Sequence, residues 1–299
     1  MLVTIILALV AVVNGIFVVY FVRDLIAHKD GFMKEPGNPI VMAVSSFVIF
    51  LLSTFGISDF AIGSALYPKV KWVDAKRLPC TLNTECVVPV AVMALCYIST
   101  INVGMTTLII AIVCQVIGAY VSPRFVVKLP ANIIKHFISI GLLIAAALIL
   151  ANKFNIYPSG GDATALVGWK LILFAVLCLI YGALNNIGIG SYALTMATVY
   201  ALGLNPGVTF PIMMDACTFS VPVGSIQFIK LDSYSRKITF FTSTLGVLGV
   251  LVAVFVVKSL NTSALLAVGR CGCHHLQRDH NAFKLAQNEG VKRYENYGS

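Results

Sequence analysis

Residues 171–191 read LILFAVLCLIYGALNNIGIGS. The first part of this stretch is apolar and uncharged, and the second part holds two asparagines and two glycines between positions 185 and 190. The stretch belongs to an apolar block, 166–203, that is longer than the roughly 20 residues a helix needs to span a bilayer. We therefore predict a membrane helix that is interrupted at the Asn-Gly segment.

The rest of the chain repeats the apolar character of this block. Further apolar blocks cover 2–22, 40–67, 80–101, 104–121, 131–151, 207–229 and 237–258. Hydrophobic residues make up 59% of the 299 residues and charged residues 11%, whereas a soluble domain carries about 25% charged residues. These features predict an all-α integral membrane protein, one polytopic domain over 1–299 with about eight transmembrane segments.

The first apolar block and the basic residues can each be interpreted in two ways. A signal peptide fits residues 1–22 poorly, because no Lys or Arg precedes a long apolar run and no small-x-small cleavage site follows it; we interpret this block as an extra, retained helix. The net charge of +9 comes from Lys and Arg in short loops, where they set topology and meet anionic lipid. We expect the bilayer of the cell membrane as the partner, and no nucleic acid. The loops leave orientation open.

Two segments in the two halves of the chain resemble each other. Gly56-Ile-Ser-Asp-Phe-Ala-Ile-Gly-Ser64 can be aligned with Ala183-Leu-Asn-Asn-Ile-Gly-Ile-Gly-Ser191, so that Ile62-Gly63-Ser64 stands opposite Ile189-Gly190-Ser191. We predict two degenerate repeats, 40–151 and 166–266, each with a Gly-rich broken helix. Interrupted segments at corresponding places in two halves are the best sequence pointer to a transporter's binding site.

A broken helix exposes the N-terminus of the half-helix that follows, whose free N–H groups and positive dipole end suit an anion. The alternative is close helix packing through small residues. On the first interpretation, the residues predicted to bind a small anionic substrate are Ser58, Gly63, Ser64, Asn185, Asn186, Gly188, Gly190 and Ser191.

Three acidic residues lie within or beside apolar blocks: Asp59, Glu85 and Asp215. An intramembrane carboxylate is a functional hypothesis by default, and these three are candidates for proton coupling, Asp215 first. The alternative is a location near a membrane surface, and Asp59 is an awkward neighbour for an anion. No nucleotide-binding loop, zinc-protease motif or G-x-S-x-G motif occurs, so we expect neither an enzyme nor a cofactor or metal.

The sequence Gly188-Ile-Gly-Ser191, and in part Ala61-Ile-Gly-Ser64 followed by Pro68, resembles the Gly-rich helix breaks of the sulfite exporter TauE/SafE family, as a divergent member. The resemblance covers residues 40–266. It implies a secondary transporter, often an exporter, of sulfite, organosulfonates or related anions. By this resemblance, the residues implied to line the substrate site are Gly63, Ser64, Gly188, Gly190 and Ser191. The alternative is a passive anion channel or a membrane subunit of a larger complex; a homo-oligomer is compatible with either.

The tail 267–299 is polar and atypical. Cys271, Cys273 and the histidines that follow hint at metal binding, but their spacing is not that of a zinc finger. A one-base shift across Val268–Phe283 turns this segment into a plausible last transmembrane helix. We therefore expect a reading-frame error here rather than a metal site; resequencing the gene tests this.

Overall fold

The structure, a computed structural model, describes residues 2–55, 58–97, 103–153 and 161–259. Within these ranges the chain is helical and has no strand, only an isolated bridge between Ala163 and Leu204. The helices are α1 (Leu2–Ala27), α2 (Pro39–Thr54), α3 (Asp59–Lys69), α4 (Leu78–Tyr97), α5 (Met105–Val121), α6 (Pro123–Val126), α7 (Ala131–Lys153), α8 (Trp169–Asn185), α9 (Ser191–Ala201), α10 (Pro206–Lys230), α11 (Arg236–Phe241) and α12 (Val247–Ser259). The prediction of an all-α protein is confirmed.

Five helical segments of the described residues are long and apolar enough to cross a membrane. They are Val3–Ala27, Leu78–Cys96, Met105–Val126, Pro211–Lys230 and Arg236–Val256, the last of which includes a π-helical turn at Thr242–Gly246. Pro39–Thr54 and Trp169–Asn185 are shorter apolar helices. These segments are typical of a membrane protein.

Side-chain caps fix where several helices begin. Asn38 precedes α2 and its Oδ1 accepts a hydrogen bond from the Ile40 backbone N–H at 2.9 Å, with Pro39 at the first helical position. Ser235 plays the same role for α11, where its Oγ accepts from the Ile238 N–H at 3.3 Å. Polar oxygens at these positions satisfy N–H groups that have no partner inside the helix.

The two longest apolar blocks both fold as a helix followed by a half-helix. In the first, α2 has 16 residues and α3 has 11. In the second, α8 has 17 residues and α9 has 11. The interruptions that the glycines predicted in blocks 40–67 and 166–203 coincide with these helix ends.

Glycines bring two pairs of helices into backbone contact. A Cβ built on Gly118 of α5 would collide with the carbonyl of Leu179 in α8, and one on Gly249 of α12 would collide with the carbonyl of Phe47 in α2. Gly249 follows Gly118 by 131 residues and Leu179 follows Phe47 by 132. Small residues allow this close approach of membrane helices. The two contacts therefore have matching geometry in the two halves.

Helices α4 and α10 form the interior. The most apolar window of each is 83% buried, whereas that of α1 is 28% buried. The helices α4 and α10 pack against each other, and α1 packs on both. The polar groups of α4 and α10 therefore lie in the centre of the protein.

Residues 161–163, which connect the two halves of the chain, are hydrogen-bonded to the residues that follow α9. Backbone hydrogen bonds join the Gly161 N–H to the Leu204 carbonyl at 3.1 Å and the Asn205 N–H to the Ala163 carbonyl at 2.8 Å. The Lys170 Nζ donates to the Leu202 carbonyl at 3.0 Å, where a cation stabilises the negative end of the helix.

The chain divides into two compact units, residues 1–253 and 254–299. Only the end of α12 is described in the second unit. The predictions for the tail 267–299 and for the end of the second repeat, 260–266, lie outside the described residues.

Candidate functional site

The first helix break lies between α2 and α3. Ser58 caps α3, and its Oγ accepts a hydrogen bond from the Ala61 N–H at 3.3 Å. Asp59 is the first residue of α3, and its Oδ1 accepts from the Ser53 Oγ at 3.2 Å across the break. A carboxylate in the first turn satisfies the positive end of a helix. The N-terminus of α3 therefore already carries an acidic group of its own.

The second helix break, between α8 and α9, is a closed turn. Gly188 lies in the left-handed region at φ +98°, which glycine adopts without the steric cost of a side chain. The N–H groups of Ile187 and Ile189 both donate to the Leu184 carbonyl. Gly190 is the N-cap of α9 and offers no side-chain cap. The N-terminus of α9 thus lacks the carboxylate that α3 has.

Asn185 connects this break to α4. Its Oδ1 accepts from the Ser191 N–H at 3.0 Å, its Nδ2 donates to the Asn83 Oδ1 at 2.7 Å, and its backbone carbonyl accepts from the Asn83 Nδ2 at 2.9 Å. Protein groups therefore occupy both ends of the Asn185 amide. A ligand reaches this side chain only by displacing one of these bonds.

Asn186 forms its hydrogen bonds with a different element, the end of α5. Its Nδ2 donates to the Ala119 carbonyl and to the Ser122 Oγ, both at 2.8 Å. Its Oδ1 has no hydrogen-bond partner among the described residues and lies against Gly224 of α10, where an added Cβ would come within 2.7 Å of it. The contacts of Asn186 join the break to the end of α5.

The residues Gly63 and Ser64 lie inside α3 rather than at its start. Ser64 is the sixth residue of α3, whereas Ser191 is the first residue of α9. When the two half-helices are compared by their first residues, Asp59 rather than Ser64 stands opposite Ser191. The Ser64 Oγ donates to the Ala61 carbonyl of its own helix at 3.0 Å.

Gly63 allows α3 to approach α4 next to Glu85. A Cβ at Gly63 would lie 2.6 Å from the Leu82 Cδ2 and 3.1 Å from the Glu85 Oε1. Glu85 is fully buried, and its Oε2 accepts a hydrogen bond from the Tyr67 hydroxyl. Its Oε1 has no hydrogen-bond partner among the described residues.

Asp215 is the most isolated of the three acidic side chains. It is fully buried in α10, and neither carboxyl oxygen has a hydrogen-bond partner among the described residues. Burying an ionised carboxylate without partners costs several kcal/mol or more, so such a group takes up a proton instead. Asp215 can thus carry a proton in this conformation.

Two cysteines and a tyrosine that the sequence did not predict as site residues lie beside the acidic residues or at the start of α9. The Ser191 Oγ lies 3.0 Å from the Cys217 Sγ, and the Tyr192 hydroxyl donates to the Met214 Sδ at 2.9 Å. Cys86 directly follows Glu85 in α4, and its Sγ donates to the Asn83 carbonyl at 3.3 Å. The signal available in the sequence was position, since these cysteines stand next to Glu85 and near Asp215 on helices carrying proline.

The start of α9 therefore lies against Cys217 of α10, and α3 lies against Glu85 of α4. Among the described residues, no three His, Cys, Asp or Glu side chains lie close enough to hold a metal ion. Comparisons of the chain with protein-family models, with curated proteins and with solved structures found no match.

Proposed function

We propose that this protein is a secondary transporter of a small anion in the cell membrane. The observation that carries this proposal is the pair of matched helix breaks, in which α2 and α8 stop at similar lengths and half-helices of equal length follow. Discontinuous helices near the centre of a two-repeat membrane protein hold substrate in many transporters. The resemblance to the sulfite exporter TauE/SafE family makes sulfite and organosulfonates the first substrates to test.

The matched glycine contacts support a two-repeat architecture with exchanged partners. We infer that α2–α5 and α8–α12 are equivalent units, because Gly118 packs against α8 just as Gly249 packs against α2. Each repeat then completes the packing of the other. Alternating access follows from movement of one pair of helices relative to the other around the two breaks.

The two breaks are not equivalent in charge, and this favours the second as the anion site. Asp59 fills the N-terminus of α3, whereas α9 starts with Gly190 and Ser191. The Ser191 N–H already donates to the Asn185 Oδ1, so the groups left to bind an anion are the other N–H groups in the first turn of α9 and the Ser191 hydroxyl. The anion is therefore held at the start of α9, beside Cys217.

Proton coupling follows from the acidic residues. No Lys, Arg or His falls between positions 172 and 229, so no basic side chain of α9, or of α10 before its last residue, neutralises an anion near Asp215. An ionised Asp215 repels the anion, whereas a protonated Asp215 does not. Anion and proton then bind together, and transport falls as the pH rises.

The test is uptake and counterflow in proteoliposomes with labelled sulfite, taurine, sulfoacetate and sulfate, with and without a pH gradient. A Cβ on Gly190 meets nothing within 4 Å, so a side chain can begin there without a clash, and Gly190→Leu, which places a bulky apolar group at the start of α9, should abolish transport. Gly15→Leu is the matched control, because its Cβ also meets nothing within 4 Å, and it should transport normally. Asp215→Asn should keep counterflow and lose its response to the pH gradient.

Other outcomes decide against the proposal. Flux without counterflow that ignores the pH gradient would indicate a passive anion channel. Absence of flux for all four anions in folded protein would exclude sulfur-anion transport and favour a membrane subunit of a larger complex.

A further inference from the structure

Asn14 is a buried polar residue in the middle of the otherwise apolar helix α1. Its side chain is 6% exposed. One Nδ2 proton goes to the Val10 carbonyl of α1 at 2.8 Å, and the other goes to the Thr218 carbonyl of α10 at 3.2 Å. A polar side chain in a membrane helix is costly unless it finds such partners. The contact with α10 therefore calls for an explanation.

The Thr218 carbonyl needs a donor because of a proline one turn later. In an α-helix the carbonyl of residue 218 accepts from the N–H of residue 222, and residue 222 is proline, which has no N–H. The Thr218 hydroxyl also turns back on the helix and donates to the Met214 carbonyl at 2.6 Å, a contact that bends helices. Asn14 supplies the donor that Pro222 removes.

This weak point in α10 lies beside the proposed site. Asp215 and Cys217 belong to the turn that ends at Thr218, and the Cys217 Sγ is in contact with the Ser191 Oγ. Pro222 leaves α10 without one backbone hydrogen bond at residues 218–222, so a change in helix geometry there moves Asp215 and Cys217 relative to the start of α9.

Helix α1 is held in place at a second level. Asp24, near its end, forms an ion pair with Arg236 of α11 at 2.7 Å and accepts a hydrogen bond from the Tyr234 hydroxyl at 2.5 Å. Burial, followed by the bond to the Asp24 carboxylate, raises the pKa of Tyr234, so this hydroxyl stays a donor. These bonds fix α1 along its axis and keep Asn14 level with Thr218.

We propose that Asn14 is a positioning residue for α10, and that α1 is a working part of the transporter rather than a membrane anchor. The amide of Asn14 replaces the hydrogen bond that Pro222 removes from α10, and this part of α10 positions Asp215. The transport part of this inference rests on the proposed function; the coupling between residues 14 and 222 does not.

The test is a double-mutant cycle on the full chain in lipid nanodiscs. Asn14→Leu removes the donor, Pro222→Ala returns a backbone N–H to the Thr218 carbonyl, and the double variant combines both changes. Gly15→Ala is the control on the same helix, since its added Cβ meets no atom within 4 Å. The first readout is amide hydrogen exchange of the segment 214–226, and the second is the pH profile of anion transport per folded molecule.

Asn14→Leu should speed exchange in 214–226 about threefold, the typical effect of one interhelical hydrogen bond in a membrane protein. In the Pro222→Ala background the same substitution should have little effect. It should also shift the pH profile of transport, which a general loss of stability would not do. The control should match the wild type in both readouts.

The proposal is overturned if Asn14→Leu leaves exchange in 214–226 unchanged, or speeds it equally whether residue 222 is proline or alanine. If Asn14→Leu yields no folded protein, recovery of folded protein in the double variant supports the proposal and continued absence overturns it. If the hydrogen-exchange cycle gives the expected coupling between residues 14 and 222 but the wild-type protein transports no anion, the proposed function is wrong. The role of Asn14 in α10 is then still supported.

Discussion

Replacing Gly118 or Gly249 with alanine tests the exchanged packing of the two halves. In Gly118→Ala the new methyl group would collide with the Leu179 carbonyl oxygen, and it would lie 3.0 Å from the Ala183 nitrogen. In Gly249→Ala it would collide with the Phe47 carbonyl oxygen and lie 3.1 Å from the Leu51 nitrogen. These are backbone atoms, which cannot rotate away as a side chain can, so each helix pair must separate.

The expected cost follows from this geometry. Overpacking a well-packed contact by one methyl group costs about 1–3 kcal/mol. At about 2–4 °C per kcal/mol, a cost near 2 kcal/mol lowers the melting temperature by about 4–8 °C. Because the two contacts match, the two variants should lose similar stability.

The assay is thermal unfolding of detergent-solubilised protein, followed by fluorescence-detected size exclusion after heating. Gly15→Ala is the control; it should melt at the wild-type temperature or above, because alanine favours a helix over glycine by about 0.5–1 kcal/mol. Should either Gly118→Ala or Gly249→Ala melt with the control, the matched packing of the two halves would be refuted.

Three further predictions concern contacts other than the two glycine contacts. Asp24→Asn removes one of the two carboxylates that pair with the buried Arg236 guanidinium and leaves the more exposed Asp232, so it should destabilise the protein by about 1–3 kcal/mol in denaturant or thermal unfolding. His28→Ala, which removes a half-exposed partner of Asp24, should change nothing measurable. Asn83→Leu and Asn185→Leu should each cost about 1–3 kcal/mol, but the double variant should cost clearly less than their sum; additive losses would show that the two amides do not pair. Gly188→Ala should cost about 1–2 kcal/mol because of its positive φ, and a wild-type melting temperature would contradict that backbone assignment.

The sequence alone was sufficient for the class of fold and most helix positions. Block 104–121 corresponds to α5 at Met105–Val121, and block 207–229 to α10 at Pro206–Lys230. Such helices can be located from their length and apolar character, because the thickness and the apolar interior of a bilayer require both. The π-helical turn at Thr242–Gly246 inside block 237–258 was not predictable, since nothing in its composition distinguishes it from the helix around it.

The sequence did not allow us to predict which helices pack against each other. Gly118 and Gly249 are ordinary small residues in apolar blocks, and only the structure shows which carbonyl each one faces. In lipid, apolar side chains do not distinguish a helix partner from lipid. A pattern of hydrophobicity therefore cannot tell α8 from α9 as the neighbour of α5.

The two helix interruptions were predicted more accurately than the positions of the residues around them. Glycines and polar residues indicated both interruptions, since such residues disfavour a continuous helix, but Gly63 and Ser64 lie inside α3. Ser191 lies at the start of a half-helix as the sequence suggested, but the bond of Asn185 to Asn83 joins residues that are 102 positions apart. Side-chain hydrogen bonds at this separation leave no local signal, and the role of these residues in transport stays a prediction.

The packing of α2 against the region 242–253 also determines how long α2 is without its partner during synthesis. Gly246, which contacts Phe50, follows it by 196 residues. At about 5–20 residues per second, α2 waits in the membrane for about 10–40 s before the surface that covers it has been translated. During that interval its contact face is open to lipid, to the insertion machinery and to other nascent chains. Synonymous codons that slow the ribosome between residues 60 and 240 will therefore lower the yield of folded protein without changing one amino acid.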